Sequence, residues 1–418
     1  MELTIKKVGM EYEVSWPWLG LIAHVDYINE RSYRGQVAIS HMGRNIHRSK
    51  LTMDDAGEIE RFESRCEKML PGSTAGFDWP TIMENLTGAV IDKIRTGDPV
   101  VILGEVESKP VEFRVNNILV EDEINVLWGD SGVGKSMFGL WLGTLISENY
   151  TDTSHGLTVE PGTVLYCDYE TSDNRMADRT VQIHAGLGLT SKSKMRYRSM
   201  TQSLETDYQA LAKIIDQDKI DFLIIDSLGL SIDGDLSSME STKAFFNALK
   251  ALKQTSLVIT HSNKAEEMYG SKFIRAYGRN IWSANQFSGS FNSGNVDFSL
   301  VHTKANDIPE QPVQSWEMKF NNDQVIYTRK DPYDTGAAGL LTYNELVYKT
   351  LSRYDGEAVS REHLERFIAE AKNGRDKPKE IKENTDQTIS DLLIRKLIAG
   401  DDHYLWLPTP ETVTQEAL

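Results

Sequence analysis

A glycine-rich segment at residues 129–136 constrains the chain most, because few loops carry this composition between a strand and a helix. It reads GDSGVGKS and follows the short apolar run Ile124–Trp128. The apolar stretch 137–146 comes directly after it and predicts a buried helix. Glycines let successive backbone N–H groups turn toward a phosphate, and the positive end of the following helix adds to the attraction. The sequence therefore predicts a phosphate-binding loop at a strand-to-helix bend.

The residues of this loop have separate expected roles in binding a nucleotide. Lys135 is placed to reach the β- and γ-phosphates of ATP, and the Ser136 hydroxyl to coordinate Mg²⁺. ATP and Mg²⁺ are therefore the predicted cofactors. The predicted nucleotide-binding residues of this segment are Gly129, Asp130, Ser131, Gly132, Val133, Gly134, Lys135, Ser136 and Met137.

Acidic residues end two other predicted strands. Asp226 closes the apolar run Phe222–Asp226, where a carboxylate beside the loop can hold the Mg²⁺ hydration shell. In many P-loop ATPases a glutamate that activates water follows this aspartate, but Ser227 stands there in this chain. The strand after the loop's helix, with the sequence VLYCDYE, offers Glu170 or Asp168 instead. Glu170 is the predicted base and Asp168 the alternative, since a base must lie within hydrogen-bond reach of the water.

A histidine follows a further apolar strand. His261 comes directly after the run Leu257–Thr260. A polar side chain at this place can respond to the γ-phosphate and pass that signal to the following loop. The other interpretation is a structural histidine.

The chain divides into three predicted domains. Residues 1–105 form a β-rich module with closing helices, because residues 10–50 alternate in the manner of strands and a helical spacing follows. Trp16, Trp18 and Tyr27 of this module could bind single-stranded nucleic acid or fill the core of the module. Residues 106–335 alternate strands with helices, which predicts an α/β fold with a mostly parallel sheet and helices on both faces.

Residues 336–418 form the third predicted domain, which is winged-helix-like. Three helical stripes precede the short apolar strand 404–407. Ser360 is a plausible N-cap of the second helix, and Gly400 is the expected end of the third. Three helices and a hairpin are the outline of a winged helix, a domain that binds either DNA or protein partners.

Charge and cysteine usage exclude several classes of protein. The net charge of −17 argues against tight, non-specific binding of nucleic acid or anionic membrane. Only Cys66 and Cys167 are present, which suits a reducing compartment. The N-terminus lacks a signal-peptide apolar region, and no apolar run reaches about eighteen residues. We therefore expect a cytoplasmic protein without a membrane span.

The motifs together resemble the RecA-like ATPases of the RepA type, the hexameric helicases of plasmids, phages and mobile elements. The resemblance covers roughly residues 112–330 and rests on GDSGVGKS, the strand that ends at Glu170, IIDS at 224–227, THSNK at 260–264, GSKFIRAYGRNIW at 270–282 and VHTKAND at 301–307.

The resemblance implies several roles that the pattern alone does not. A RecA-like core and a homo-oligomer, a hexameric ring with shared ATP sites, are expected. His261 is similar to the family's phosphate-sensing histidine, and Lys304 to the basic residue of the last strands. Arg275 or Arg279 is similar in placement to the arginine that reaches a neighbour's ATP; otherwise both lie on a solvated helix face.

Action on DNA is less clear from the residues. Lys192, Lys194, Arg196 and Arg198 alternate on one predicted edge strand, and basic residues crowd 372–382. The loop 231–235 is acidic, the loop 263–275 is only weakly basic, and Asp386 and Asp391 lie on the third helix of the winged-helix-like domain. Two hypotheses stay open: a motor of the RepA helicase type acting on DNA in replication, and a RecA-like regulatory ATPase that binds protein partners.

Overall fold

The computed structural model describes residues 3–8, 11–97, 100–262, 268, 270, 272–290, 294–321 and 323–408. Contacts divide the chain into two compact units, one of residues 1–110 with 204–220 and one of residues 111–203 with 221–418. None of the helices within these described ranges is long and apolar enough to cross a membrane.

The strands and helices are numbered in chain order. The strands are β1 (Thr4–Val8), β2 (Glu11–Trp16), β3 (Leu21–Asn29), β4 (Arg34–His41), β5 (Arg44–Thr52), β6 (Phe113–Val115), β7 (Leu119–Val120), β8 (Ile124–Gly129), β9 (Val164–Asp168), β10 (Arg196–Ser199), β11 (Phe222–Asp226), β12 (Thr255–His261), β13 (Asn280–Ser290), β14 (Asn295–Ala305), β15 (Gln314–Asn321), β16 (Gln324–Lys330), β17 (Val359–Ser360), β18 (Ala399–Gly400) and β19 (Tyr404–Trp406). The helices are α1 (Ala56–Met69), α2 (Gly72–Ala75), α3 (Trp79–Thr96), α4 (Lys135–Glu148), α5 (Asp173–Gly186), α6 (Leu204–Asp218), α7 (Met239–Ala251), α8 (Lys272–Tyr277), α9 (Tyr343–Ser352), α10 (Arg361–Lys372) and α11 (Pro378–Ile394).

The first unit is built on a five-stranded antiparallel sheet whose strands follow the sequence order β1 to β5. Alternate residues of these strands fill its core, as strand periodicity requires. Asp55 caps α1 by accepting a hydrogen bond from the Glu58 amide at 2.8 Å. Of the three aromatic residues that could fill the core or bind single-stranded nucleic acid, Trp16 is buried in the core. Trp18 is 39% exposed and Tyr27 is 49% exposed.

The second unit contains a nine-stranded sheet in the order β10-β9-β11-β12-β8-β13-β14-β15-β16. The strands from β10 to β13 pair in parallel, and the last three pair antiparallel. Residues of β9 and β11 are buried without alternation, which is typical of central strands of a parallel sheet. The expected α/β fold with a large, mostly parallel sheet is confirmed.

Two asparagines form a buried polar network at the start of β8 and β13. Asn125 Oδ1 accepts from the Val120 amide at 2.8 Å and from Asn280 Nδ2 at 2.6 Å, while Asn125 Nδ2 donates to the Val120 and Ser256 carbonyls. Every partner is buried, so removal of this side chain leaves several polar groups without hydrogen bonds.

We expect Asn125→Ala to lower the free energy of unfolding by about 3 kcal/mol, the cost of a few unsatisfied buried groups. Urea unfolding followed by circular dichroism measures it. Ser299→Ala is the matched control, because the Ser299 hydroxyl is buried without a hydrogen-bond partner in the described structure. Equal effects of the two substitutions would show that the network does not stabilise the sheet.

The last part of the second unit holds α9, α10, α11 and a small antiparallel sheet in the order β17-β19-β18 around its own core. Ser360 caps α10, accepting from the His363 amide at 3.3 Å, as predicted. The expected end of the third helix at Gly400 is wrong. The helix ends at Ile394 because Lys396 takes a left-handed conformation and the Leu397 amide bonds back to the Leu392 carbonyl.

Candidate functional site

The glycine-rich loop lies between β8 and α4, where the sequence placed it. Gly132 and Gly134 have φ values of 85° and 95°, the left-handed region that favours glycine. A Cβ on Gly129 would overlap the carbonyl oxygen of Ala284 on β13, so only glycine fits there. Val133 and Met137 point into the core, and Asp130 Oδ1 accepts a hydrogen bond from Ser262 Oγ. The loop is therefore held on both sides by the neighbouring strands.

Lys135 is buried, with 4% of its surface exposed, yet no carboxylate contacts its ammonium in the described structure. Its Nζ donates to the carbonyls of Gly129 and Asp130, both at 2.8 Å, and lies 3.4 Å from His261 Nδ1. Burial lowers the pKa of Lys135 to about 8, against the attraction of Asp226, Asp130 and Glu170. A buried cation held by carbonyls at the N-terminus of a helix is suited to an anionic ligand.

Asp226 ends β11 beside the loop and is 3% exposed. Tyr166 Oη donates to its Oδ2 at 2.6 Å, and the Ser136 hydroxyl also bonds to the carboxylate. Burial raises the pKa of Asp226 to about 6, and these two hydrogen bonds oppose the rise. A hydroxyl and a carboxylate side by side are hard oxygen donors of the kind that Mg²⁺ prefers. The residues present therefore fit the predicted metal site of Ser136 and Asp226.

Glu170 lies two residues beyond the end of β9, not within the strand. Its Oε1 accepts from Ser227 Oγ at 2.5 Å and lies 3.5 Å from His261 Nε2. The hydrogen bond with His261 is the main cause that lowers the pKa of Glu170 to about 2. The hydrogen bond from Ser227 and the charge of Lys135 lower this pKa further, whereas partial burial raises it. An ionised carboxylate near the phosphate loop can accept a proton from water.

Asp168, the alternative base, is committed to holding the backbone. Its Oδ1 accepts from the amides of Glu170 and Thr171 at 2.9 and 3.1 Å, and its Oδ2 accepts from Tyr197 Oη at 3.3 Å. The residue is 1% exposed. These contacts shape the turn that presents Glu170 and leave Asp168 poorly placed to meet a water molecule.

His261 connects the loop lysine to Glu170. An ammonium can only donate, so a neutral His261 accepts from Lys135 at Nδ1 and carries its proton on Nε2, which faces Glu170. Ser131 Oγ lies 3.4 Å from the same Nδ1. The histidine thus contacts three parts of the predicted site at once.

A cleft of about 730 Å³ opens above these residues and is large enough for a nucleotide. Its walls include residues that the sequence analysis missed, among them Arg175 and Arg179 of α5 and Phe320 at the end of β15. Neither arginine makes an ion pair with another residue in the described part of the chain. Their spacing of four residues just after Glu170 was a usable signal, since it puts both on one helix face. Phe320 is far away in sequence and gave none.

Arg275, Arg279 and Lys304 lie near the amino-terminal end of β13, whereas the loop of the same chain follows the carboxyl end of the neighbouring strand β8. Arg279 precedes Asn280, which pairs with Asn125, whereas Ala284 pairs with Gly129, so about five residues or ~16 Å of strand separate Arg279 from the loop. Arg279 binds Asp307 at 2.8 Å and Glu123 at 3.1 Å. Lys304 Nζ donates to the carbonyls of Arg275 and Gly278 at 2.5 and 2.7 Å. Among the described residues that line the cleft, none is Arg275, Arg279 or Lys304.

The chain is similar to several known proteins. Residues 93–267 match a family model described as an AAA domain. A KaiC-like protein of the hyperthermophilic archaeon Pyrococcus horikoshii OT3 shares 12% identity at a TM-score of 0.37, over 53% of this chain and 98% of that one. The flagellar accessory protein FlaH of Methanocaldococcus jannaschii shares 13% identity at a TM-score of 0.36, over 50% of this chain and 90% of that one. A search of curated protein sequences gave no match.

The AAA match spans the phosphate loop and both carboxylate strands. With the mostly parallel sheet and the convergence of Lys135, Asp226 and Glu170, it supports a RecA-like P-loop ATPase.

Proposed function

We propose that this protein is an ATP-hydrolysing oligomeric motor of the RepA helicase type that acts on DNA, with ATP sites shared between subunits of a hexameric ring. One observation carries the proposal. Lys135, Asp226, Glu170 and His261 converge at the carboxyl ends of the parallel strands, whereas Arg275, Arg279 and Lys304 lie near the amino-terminal end of β13. A site with these two halves is completed by a second copy of the chain.

Hydrolysis is derived from the residues at the cleft. Lys135 would exchange its carbonyl contacts at Gly129 and Asp130 for phosphate oxygens, since an ammonium binds an anion more strongly than a neutral carbonyl. Ser136 and Asp226 would hold Mg²⁺, which supplies positive charge to the phosphates. Glu170 accepts a proton from water, the oxygen of that water bonds to the γ-phosphorus, and the bond to the β-phosphate oxygen breaks to release ADP and phosphate.

A mixing experiment can test whether Arg279 acts on the ATP of a neighbouring subunit. An arginine donated in trans stabilises charge on the transferring phosphate and contributes roughly 10³-fold or more to the rate. We expect Arg279→Ala to lower ATP hydrolysis strongly. A one-to-one mixture with Lys135→Ala should regain up to roughly a quarter of wild-type activity, because hybrid interfaces then pair an intact loop with an intact arginine.

The control mixture combines Arg279→Ala with Arg279→Ala, Lys135→Ala double-variant subunits, which can form no intact interface. Activity that returns in both mixtures, or in neither at any ratio, would count against sites shared through Arg279. Arg275→Ala in the same assay tests the other candidate arginine.

A second function is regulation by ATP without translocation along DNA. It is favoured by the charges around the two basic segments, residues 192–198 and 372–382. Lys194 pairs with Glu148 at 3.3 Å, and β10, which carries Arg196 and Arg198, lies at the edge of the sheet. On α11, Asp386 accepts a hydrogen bond from Arg361, and its carboxylate would repel a DNA phosphate. Much of the loop 263–275, including Lys264, falls outside the described residues. The elements α9, β17, α10, α11, β18 and β19 support a winged-helix-like domain, which would then bind protein partners.

The two functions differ in their response to nucleic acid. We expect ATP turnover to rise several-fold when single-stranded DNA is added, with the mass of a hexamer in solution. Turnover unaffected by DNA, together with ATP-dependent assembly, would favour the regulatory ATPase. If calorimetry detects no binding of magnesium nucleotide, both proposals fail.

A further inference from the structure

Ser227 stands directly after the carboxylate that ends β11, and its side chain points to a residue 57 positions earlier. Its hydroxyl donates to Glu170 Oε1 at 2.5 Å. The side chain is almost fully enclosed, with 1% of the residue exposed, so water does not compete for this bond. This bond links the residue after Asp226 to the predicted base, Glu170, just beyond the end of β9.

The two oxygens of Glu170 have different surroundings. Oε1 faces both the Ser227 hydroxyl and His261 Nε2. Oε2 has no hydrogen bond to any residue of the described ranges. When a carboxylate is fixed through one oxygen, its other oxygen has a defined direction and is free to accept the proton of a water molecule.

The backbone around this pair is anchored independently of the bond. The Tyr169 amide donates to the Asp226 carbonyl at 2.7 Å, and the Glu170 amide donates to Asp168 Oδ1 at 2.9 Å. The Ser227 carbonyl accepts from the Leu230 amide at 3.3 Å. Loss of the Ser227 hydroxyl would therefore free the Glu170 side chain without releasing the backbone that carries it.

We propose that Ser227 is a positioning residue for catalysis, which holds Glu170 through Oε1 so that Oε2 meets the attacking water. This inference rests on the proposed ATP hydrolysis and adds to it a role for Ser227. In this chain, the residue after Asp226 is a serine that donates a hydrogen bond to a glutamate just beyond the end of β9, whereas a glutamate at position 227 would itself supply a carboxylate.

The test compares Ser227→Ala with Ser256→Ala in the full chain. Ser256 lies on β12, buried, with a hydroxyl that has no partner in the described structure, so it matches the loss of a buried oxygen away from the cleft. We expect Ser227→Ala to lower kcat by about tenfold to 10²-fold, the effect of a misplaced base, with the Kd for a fluorescent ATP analogue changed by less than about twofold. Ser256→Ala should leave both unchanged.

A double-variant cycle separates positioning from a structural role. With Glu170→Gln already present, Ser227→Ala should change the residual rate by no more than about twofold, because the group it orients can no longer accept the proton. A Ser227→Ala variant that loses kcat equally in both backgrounds, or that weakens ATP binding in step with kcat, overturns the inference. Ser227→Cys, which keeps nearly the same volume with a weaker donor, replaces the alanine variant if that one fails to fold, and the same criteria apply.

Failure of this inference is distinguishable from failure of the proposed function. Wild-type protein that hydrolyses ATP, with Glu170→Gln inactive and Ser227→Ala fully active, removes only the role of Ser227. Wild-type protein without any ATP hydrolysis removes both.

Discussion

Lys135→Ala is expected to abolish ATP turnover and to weaken nucleotide binding by about 10²-fold or more, because it removes the only ammonium at the phosphate loop of the described chain. Lys135 is buried at the N-terminus of α4, where its charge is little screened by water. In the folded protein the ammonium is held by two carbonyls of the loop that would cradle the phosphates. Isothermal titration with magnesium ATP and a phosphate-release assay measure the two effects.

Lys372→Ala is the matched control for this variant. Lys372 is also a buried lysine, 8% exposed, and its Nζ donates to the Gly339 and Leu341 carbonyls at 3.0 and 2.7 Å. It lies on α10 and is not among the described residues that line the cleft. Both variants lose a buried cation and two hydrogen bonds, so both should lose stability, but only Lys135→Ala should lose ATP. Equal ATP affinity in the two variants would remove Lys135 from the binding site.

The phosphate site can be predicted from the sequence because the residues of each of its elements are consecutive in the chain. The loop occupies eight consecutive residues, and the strands beside it are runs of apolar residues that admit only a buried position in the sheet. Since the carboxyl ends of parallel strands meet at one side of a sheet, the sequence alone predicts that Asp226, Glu170 and His261 lie together. In the structure His261 lies within reach of both Lys135 and Glu170.

Other features depend on contacts between distant residues or on local backbone choices that composition does not reveal. At position 227 the sequence shows only that a glutamate is absent, because Glu170, the partner of Ser227, follows another strand. Tyr166 reads as an ordinary core residue, although its hydroxyl bonds to Asp226. The end of α11 was misplaced because Lys396, not the more permissive Gly400, adopts the left-handed conformation.

Glu170→Gln is expected to bind ATP as the wild type does and to hydrolyse it about 10²-fold to 10⁴-fold more slowly, the usual contribution of a general base. The amide has the same shape and can still accept from Ser227 through its oxygen, so the cleft keeps its form. It cannot accept a proton from water at neutral pH, whereas the pKa of Glu170, lowered to about 2 chiefly by the bond with His261, keeps the natural side chain ionised. Single-turnover phosphate release and equilibrium binding of a fluorescent ATP analogue separate chemistry from affinity.

Asp168→Asn supplies the comparison that decides between the two carboxylates. An asparagine there can keep one oxygen toward the Glu170 and Thr171 amides, so the turn that presents Glu170 should survive and ATP hydrolysis should fall only modestly. If Asp168→Asn instead stops hydrolysis with binding intact while Glu170→Gln remains active, the base is Asp168, and the contacts of Glu170 with Ser227 and His261 are structural. Asp168 ends β9 and Glu170 follows two residues later, so both carboxylates lie at the same end of the strand, and only the kinetics of the paired variants distinguish them.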